Sequence, residues 1–159
     1  MKLKKLQNLL KKHNQWRSEC INLIASENVM SPLAEKFYLS DLMHRYAEGL
    51  PFKRYYQGNI FFDQIEALAQ EEFKKFFKVN FCDLRPISGT IANYAAFCAL
   101  GKKGDKIITC GLFGGSHVSH EEPGAAGILG FKIYHFRFDE KTYTLDVEDA
   151  KKKIKKIKP

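Results

Sequence analysis

The stretch that decides the fold reads FCDLRPISGTIAN, residues 81–93. Residues 81–84 are apolar enough for a short strand, and the Ser-Gly-Thr turn at 88–90 is typical of a helix start. We expect that helix to run to about Leu100 and to end at Gly101. A strand, a small polar turn and a helix, in this order, form the repeating unit of α/β proteins.

Apolar periodicity and capping residues, among them Ser31 before Pro32 and Asp146 before the last helix, predict further elements on both sides of this unit. The predicted helices cover residues 2–19, 31–43, 62–77, 116–122 and 147–159, and the predicted strands cover residues 106–109 and 131–138. Alternating helices and strands indicate a mostly parallel sheet. A chain of 159 residues is expected to form a single domain.

Lysines give the chain a formal net charge of +8, with five of them among residues 2–12 and six among residues 151–158. Such clusters attract phosphates or an anionic membrane surface, but they contain little arginine, the better reader of phosphate and base geometry. We therefore expect no specific nucleic-acid partner and no membrane partner. The N-terminus lacks the apolar core of a signal peptide, and no apolar run is long enough to span a membrane.

The cysteines occur singly, without a CxxC pair, at positions 20, 82, 98 and 110. This spacing favours free thiols in a reducing compartment, and we expect a cytoplasmic protein. His117 and His120 are spaced like metal ligands, with Glu121 and Glu122 nearby. No third ligand is evident, so no metal is expected. His117 follows a glycine loop and suits stacking on a planar ring or proton donation, although a purely structural histidine fits equally well.

Two polar segments suit ligand chemistry. Backbone N–H groups at a helix start bind phosphate, and Ser88 and Thr90 add hydroxyls while Gly89 allows close approach. The alternative is an ordinary helix cap. The second segment, RYAEGLPFKRYYQG at residues 45–58, is a loop rich in charge and ring hydroxyls. Its Glu48 could act as a general acid or base, or form a simple surface ion pair with the nearby arginine.

Five motifs in this order resemble the serine hydroxymethyltransferase family. They are IASEN at residues 24–28, YAEG at 46–49, KRYY at 53–56, SGT at 88–90 and the His-X-X-His pair at 117–120. The resemblance covers nearly the whole chain and continues through GAAGILG at residues 124–130. It implies an N-terminal helical arm plus the first strands and helices of the large domain of a fold type I pyridoxal-phosphate transferase.

The resemblance also implies the reaction and the cofactor contacts. The family transfers a one-carbon unit between serine and a reduced folate or related pterin, using pyridoxal phosphate. By this resemblance Ser88, Gly89 and Thr90 hold the cofactor phosphate, Tyr46 reaches the phosphate of a neighbouring subunit's cofactor, and His117 stacks on the pyridine ring. Thr90 stands where serine is usual and keeps the hydroxyl.

The substrate contacts follow from the same resemblance. Ser26 and Tyr56 line the amino-acid site, and Glu48 is the carboxylate that handles protons near the substrate hydroxyl and the pterin. The residues expected to border the pterin are Tyr55, Leu112, Ser116 and Val118. Serine at 116 replaces a glycine that is usual before the stacking histidine, which narrows this loop. Glu48 and His117 are thus the candidate catalytic residues.

The resemblance divides the chain at about residue 60. Residues 1–60 would form the N-terminal arm and active-site loop, and residues 61–159 the start of the cofactor-binding large domain. The 159 residues contain no lysine placed to form the family's Schiff base, so we expect a truncated domain that binds the cofactor poorly and is inactive without a C-terminal half. Expected partners are a complementary C-terminal chain or further copies of this chain. The alternative is a non-catalytic homologue acting as a binding or partner subunit.

Overall fold

A computed structural model describes residues 2–159. The chain divides into two compact units, the first ending at Phe62 and the second running from Asp63 to Pro159. Helices and short strands occur in both, which makes the chain a mixed α/β structure with three two-stranded sheets. One of the three sheets is parallel.

Helix α1, Lys2–Ser18, opens the first unit and confirms the helix expected there. Leu3, Leu6 and Leu9 recur at helical spacing and form an apolar stripe along one side. Each of these side chains is more than half exposed. The stripe is therefore an apolar face that lies open to solvent in this chain.

Helix α2, Pro32–Tyr38, starts as expected and ends early. The Ser31 hydroxyl accepts a backbone N–H three residues on, at 3.1 Å, which makes it the N-cap. The expected continuation to Met43 is wrong, because Ser40 adopts an extended backbone (φ −122°, ψ 171°) that interrupts the helix. A single 3₁₀ turn, Asp41–His44, follows instead.

The segment expected as a long loop contains a small antiparallel hairpin. Its strands are β1, Gly49–Leu50, and β2, Lys53–Arg54. Phe52 in the turn is left-handed, with φ 62°. Gly49 has φ 102°, and a Cβ added there would lie 2.4 Å from the Lys53 carbonyl oxygen. Only glycine fits that position without moving the opposite strand.

Helix α3, Ile60–Phe77, confirms the most strongly periodic segment of the sequence and begins two residues earlier than expected. Phe73 and Phe77 stack one turn apart, with ring centroids 5.4 Å apart. The helix ends where Lys78 turns left-handed at φ 54°.

The strand expected at residues 81–84 is wrong. Within residues 2–159 this segment pairs with no strand, and Phe81 is 91% exposed. A local tie takes its place: Arg85 donates from Nε and from its backbone N–H to Asp83 Oδ1, at 2.8 and 3.0 Å. The Arg85 guanidinium and this hydrogen bonding lower the Asp83 pKa from its ordinary 3.8 to about 2.

Helix α4, Gly89–Leu100, begins and ends as predicted, with Ser88 as N-cap and Gly101 after its last turn. Strands β3, Lys106–Thr109, and β4, Lys132–His135, form the parallel pair. The strand predicted over residues 131–138 is therefore shorter than expected.

The crossover between β3 and β4 holds the buried centre of the second unit. It contains the short helix α5, Ala125–Ile128, whose Ala125 and Ala126 are at most 2% exposed. The helix predicted over residues 116–122 is replaced by one 3₁₀ turn, Val118–His120. Glycine 124 explains the close packing, because a Cβ there would lie 2.0 Å from the Val118 carbonyl oxygen.

The second unit closes with a hairpin and a helix. Strands β5, Phe138–Asp139, and β6, Thr144–Leu145, pair antiparallel. Helix α6, Val147–Ile157, confirms the last predicted helix. Asp146 is its N-cap, accepting the N–H of Asp149 at 3.0 Å.

Candidate functional site

The hairpin of the first unit carries four of the candidate residues close together in the fold. Backbone hydrogen bonds fix the peptide around Glu48: its carbonyl accepts the Tyr55 N–H at 3.1 Å. Arg54 Nη1 donates to the carbonyls on either side, those of Ala47 at 2.7 Å and Gly49 at 2.9 Å. Three consecutive carbonyls are therefore held, and the Glu48 side chain projects from a fixed backbone while remaining exposed.

Tyr46 and Tyr56 lie against each other, with ring centroids 5.8 Å apart. Asn59, only 6% exposed, donates from Nδ2 to the Tyr56 carbonyl at 3.0 Å and fixes that end of the loop. Both tyrosines line a cavity of about 530 Å³ whose wall also contains Asp41 and Arg45. The Arg45 hydrogen bond lowers the Asp41 pKa, so this wall carries a paired charge.

Ser26 lies in an exposed turn of the first unit, and among the described residues no hydrogen bond joins it to the hairpin. Its neighbour Glu27 accepts from Arg17 at 3.2 Å, which ties the turn to the end of α1. The hydrogen bond that ties down this turn therefore runs to α1 and not to the hairpin that carries Tyr56.

The Ser88-Gly89-Thr90 turn is exposed at the start of α4. Ser88 accepts the N–H of Ile91 on its hydroxyl, at 3.2 Å, and that of Ala92 on its carbonyl, at 3.0 Å. A Cβ added at Gly89 would meet nothing within 4 Å, so the space in front of the turn is open. This is the geometry of a helix cap with room for a ligand beside it.

His117 is the N-cap of the 3₁₀ turn that follows the glycine loop. Its Nδ1 accepts the Ser119 N–H at 3.2 Å and lies 2.9 Å from the Ser119 hydroxyl. Since Nδ1 accepts, the tautomer that these contacts assign places the proton on Nε2. The ring is exposed and held at one edge.

Asn93 links α4 to the turn that carries His117. Its Nδ2 donates to the Ser119 hydroxyl at 2.8 Å and lies 3.3 Å from His120 Nε2. Ser119 is fully buried, so this contact is shielded from water. The sequence analysis missed Asn93, although a lone amide within an apolar helix was a signal for a buried hydrogen bond.

Glu121 is a second residue that the sequence analysis did not assign to the site. It is 6% exposed, and its carboxylate accepts from the Thr109 hydroxyl at 3.0 Å and from His135 Nε2 at 2.7 Å. Burial alone would raise the Glu121 pKa, but hydrogen bonds from His135, Thr109 and Ser116 outweigh it and lower the pKa. The group is a buried carboxylate with matched donors.

Of the remaining expected residues, Ser116 lines a cleft in the second unit, while Leu112 and Val118 lie outside its lining. Leu112 and Val118 are about half exposed, and Ser116 places its hydroxyl 3.3 Å from His120 Nδ1. The cleft has a volume of about 830 Å³ and is lined by His117, Ser116 and the residues of β3. The second unit thus gathers the Ser88–Thr90 turn and the loop that carries His117 around α4, while the first gathers Tyr46, Glu48, Tyr55 and Tyr56.

Three observations concern other kinds of feature, namely disulfides, metal sites and membrane-spanning helices. The four cysteines are free thiols. Within residues 2–159 no three histidine, cysteine, aspartate or glutamate side chains converge as metal ligands. In the same part of the chain, no helix is both long and apolar enough to cross a membrane.

Comparison with known proteins gives one family. The family model described as serine hydroxymethyltransferase matches residues 2–159. The chain is 49% identical over 158 residues to a serine hydroxymethyltransferase of Metallosphaera sedula, covering 99% of this chain and 37% of the relative. It is 49% identical over 158 residues to a serine hydroxymethyltransferase of Staphylothermus marinus, covering 36% of that relative. It is 46% identical over 155 residues to one of Pyrococcus furiosus, also covering 36% of that relative.

These relatives are all about three times as long as the part that aligns, so the chain spans about a third of the curated proteins it matches. The match runs through both units without interruption, from the helical arm to α6. It includes the hairpin, the Ser88–Thr90 turn and the loop that carries His117, which hold the candidate residues described above. Because the family model matches residues 2–159, almost the whole of this chain, the chain belongs to the serine hydroxymethyltransferase family, as an N-terminal portion.

Proposed function

We propose that this chain supplies the N-terminal third of a pyridoxal-phosphate-dependent serine hydroxymethyltransferase. The reaction transfers a one-carbon unit between serine and a reduced folate or related pterin. Family membership supports the reaction class. The chain covers 37% of the Metallosphaera sedula relative, which supports the proposal that it forms about one third of the enzyme. In this proposal residues 1–60 are the N-terminal arm and active-site loop, residues 61–159 begin a fold type I large domain, and the working enzyme is an oligomer in the cytoplasm.

The observation that carries the proposal is the double use of helix α4. Its first residues, Ser88, Gly89 and Thr90, offer an exposed phosphate turn. Its Asn93 holds the fully buried Ser119, which in turn fixes the His117 ring. The proposed phosphate site and the proposed ring-stacking imidazole would therefore be attached to one helix, an arrangement that suits a phosphorylated aromatic cofactor.

The donors at the turn fit a phosphate. Ser88 takes up the N–H groups of Ile91 and Ala92, so within residues 2–159 those of Gly89 and Thr90 remain for a ligand. The hydroxyls of Ser88 and Thr90 add two donors. The open space in front of Gly89 allows a phosphate to approach the backbone.

His117 would orient the cofactor ring. Bound pyridoxal phosphate supplies an electron sink for the α-carbon of the amino acid. The His117 imidazole, with Nδ1 accepting from Ser119, offers a planar face to stack on the ring and a proton on Nε2. The imidazole of His117 is already oriented before a cofactor binds, because Ser119 contacts its Nδ1 and Asn93 donates to Ser119.

Glu48 would hold and move the proton of the substrate hydroxyl. Its fixed backbone and exposed carboxylate suit a group that must meet a substrate, and its oxygens can accept a proton and return it. Tyr46 and Tyr56 beside it offer hydroxyls for a phosphate and for the amino acid, and Tyr55 for the pterin. Ser26 is assigned to the amino-acid site on the resemblance alone.

Two further features complete the proposal. The loop residues Leu112, Ser116 and Val118 would border the pterin. Ser116 and Val118 are the chain neighbours of His117, and Ser116 lines the same cleft as His117. Leu112 is assigned on the resemblance alone. The amine that binds the cofactor would come from another segment, because the resemblance places the Schiff-base lysine later in the family's sequence than the part this chain matches. We therefore propose that these 159 residues alone do not turn over serine.

The phosphate assignment is tested by pyridoxal phosphate binding in a complex of this chain with the remaining two thirds of the Metallosphaera sedula relative. Ser88→Ala removes a phosphate donor together with a helix cap. Ser31→Ala removes the same kind of cap from α2, where no ligand is proposed, and is the matched control.

We expect Ser88→Ala to weaken binding by about tenfold or more, because a hydrogen bond to a charged group is lost. Ser31→Ala should leave the affinity unchanged. The loss should be absent when pyridoxal, which lacks the phosphate, replaces the phosphorylated cofactor. Equal weakening by both variants, or equal weakening with both ligands, contradicts a phosphate site at Ser88.

A further inference from the structure

The ends of both parallel strands meet on one carboxylate. Thr109 and His135 are the last residues of β3 and β4 and are register partners. Both donate to Glu121, the residue directly after the turn that carries His117. Glu121 thus ties together three segments that are separate in the sequence.

We propose that Glu121 is a positioning residue for His117: its carboxylate anchors residues 110–117 to the ends of both parallel strands. The inference rests on the proposed function in one respect, which is that His117 orients the cofactor ring. The anchoring itself is a property of this chain without any ligand.

A continuous chain of hydrogen bonds carries the anchoring. The Thr109 hydroxyl donates to Glu121 Oε1 at 3.0 Å and accepts the Gly111 N–H at 3.1 Å. The Gly111 carbonyl accepts the N–H of Ser116 at 2.9 Å, which closes the loop directly before His117. Successive hydrogen bonds in this chain share a residue, first Thr109 and then Gly111.

The conformation of Gly111 makes this route specific. Gly111 has φ 68°, a left-handed value that favours glycine. A Cβ at this position would lie 3.5 Å from the His135 ring, so the loop passes closely over the end of β4. The Ser116 side chain also contributes to lowering the Glu121 pKa, after the larger effects of His135 and Thr109. The loop is therefore tied to Glu121 at its start, through the Thr109 hydroxyl, and is closed at its end by the Gly111–Ser116 hydrogen bond.

A merely structural Glu121 would stabilise the second unit without affecting the imidazole. Three variants separate the two roles: Glu121→Ala removes every contact, Glu121→Gln keeps an oxygen for Thr109, and Thr109→Val removes the hydroxyl link while leaving the carboxylate. Thr109→Ser is the conservative rescue. Glu122→Gln is the matched control, because Glu122 is the exposed neighbour.

The test uses NMR on the full 159-residue chain, without cofactor. Nitrogen–proton correlations report which His117 nitrogen carries the proton, and hydrogen exchange reports the Gly111 and Ser116 amides. In Glu121→Ala and Thr109→Val we expect about tenfold faster exchange at both amides, the effect of losing one buried hydrogen bond. The His117 signals should change from the Nε2-protonated form to a mixture of tautomers.

Glu121→Gln should be intermediate, and Thr109→Ser and Glu122→Gln should match the parent chain. Faster hydrogen exchange elsewhere in the second unit, with unchanged His117 signals and unchanged exchange at Gly111 and Ser116, would overturn the inference. If Glu121→Ala does not fold, Thr109→Val against Thr109→Ser decides, since that pair leaves Glu121 in place.

A second readout separates this inference from the proposed function. In the complex with the remaining two thirds of the relative, Glu121→Ala should weaken pyridoxal phosphate binding while Glu122→Gln does not. A parent complex that binds no pyridoxal phosphate contradicts the proposed function and leaves the NMR result standing. A parent complex that binds it, with His117 unaffected by Glu121→Ala, contradicts the positioning role alone.

Discussion

Three polar side chains hold the backbone that carries the proposed site residues. Arg54 binds the carbonyls on both sides of Glu48, Asn93 binds Ser119 beneath His117, and Glu121 binds the ends of the two parallel strands. None of the three is a ligand contact in the proposed function. Their side chains form hydrogen bonds within the chain and fix the backbone, while the neighbouring side chains remain available to contact a ligand.

Glu48→Gln tests the proton-handling role. In the complex with the remaining two thirds of a relative, we expect turnover of serine to fall by about a hundredfold or more, because an amide cannot take up the proton. Cofactor affinity should change little, since Arg54 and Tyr55 fix the backbone and not the side chain. Steady-state kinetics with separate cofactor titration measures both quantities.

Glu35→Gln, an exposed carboxylate in the first turn of α2, is the control and should leave both quantities unchanged. Equal loss of turnover and cofactor affinity in Glu48→Gln would assign Glu48 to structure. Unchanged turnover would remove it from the reaction.

Asp83 gives a pH prediction at the residue scale. Its pKa, lowered from 3.8 to about 2 by Arg85, lies below that of the unfolded chain. Its contribution to stability is therefore present above about pH 4 and lost as pH falls through about 2. The contribution should be small because the pair is more than half exposed.

A carboxyl-carbon NMR titration measures the Asp83 pKa directly. Arg85→Gln should return it towards its ordinary value, and Arg45→Gln, which breaks a comparable exposed pair with Asp41, should not affect it. An Asp83 pKa near 3.8 in the parent chain would show that the local tie does not persist in solution.

At the scale of elements, local capping chemistry was readable and pairing was not. The caps at Ser31, Ser88 and Asp146 were predicted because each hydroxyl or carboxylate bonds an N–H within its own turn. The strand at residues 81–84 was mispredicted because a strand exists only through a partner, which an apolar run does not specify. Asn93 and Glu121 were missed for the same reason, since their partners lie 26 and 12 to 14 residues away.

Asp146→Ala tests the last helix. The loss of an N-cap should lower the free energy of unfolding by about 1 kcal/mol. Because Lys153 of α6 binds the His135 carbonyl at 3.0 Å, fraying should also reach the end of β4. Hydrogen exchange at the α6 amides measures the change without requiring a sharp melting transition.

Asp146→Ser keeps a capping hydroxyl and should retain most of the stability. Glu148→Gln, an exposed change in the same first turn, is the control. If Asp146→Ser destabilises as much as Asp146→Ala, capping is not what Asp146 contributes.

At the scale of the whole molecule, the large exposed apolar surface determines whether the chain associates in solution. Among residues 2–159 the buried hydrophobic side chains are Ala125 and Ala126, while α1, α3 and the hairpin expose large apolar groups. A chain of this length usually buries far more. Exposed apolar faces of this extent favour association.

We therefore expect the isolated chain to self-associate or to melt without a sharp transition. Sedimentation velocity over a range of low micromolar concentrations measures the first, and calorimetry the second. Addition of the remaining two thirds of a relative should replace self-association by one defined complex. A sharply melting monomer at every concentration contradicts the expectation.

The lysine-rich ends make a separate prediction. Lysines on α1 and α6 should bind DNA or RNA weakly, without sequence preference, and binding should fall steeply as salt rises. Fluorescence anisotropy with two unrelated duplexes at several salt concentrations measures this. Selective binding that persists at physiological salt would favour a nucleic-acid function instead.

The central claim is that this chain carries one part of a serine hydroxymethyltransferase site and that the rest supplies the amine. The most direct measurement is glycine formation from serine and a reduced pterin by three samples: this chain, the remaining two thirds of the Metallosphaera sedula relative, and their mixture. We predict turnover in the mixture alone. Turnover by this chain alone, after rigorous removal of contaminating enzyme, or no turnover in a mixture that forms a stable complex and binds pyridoxal phosphate, would contradict the claim.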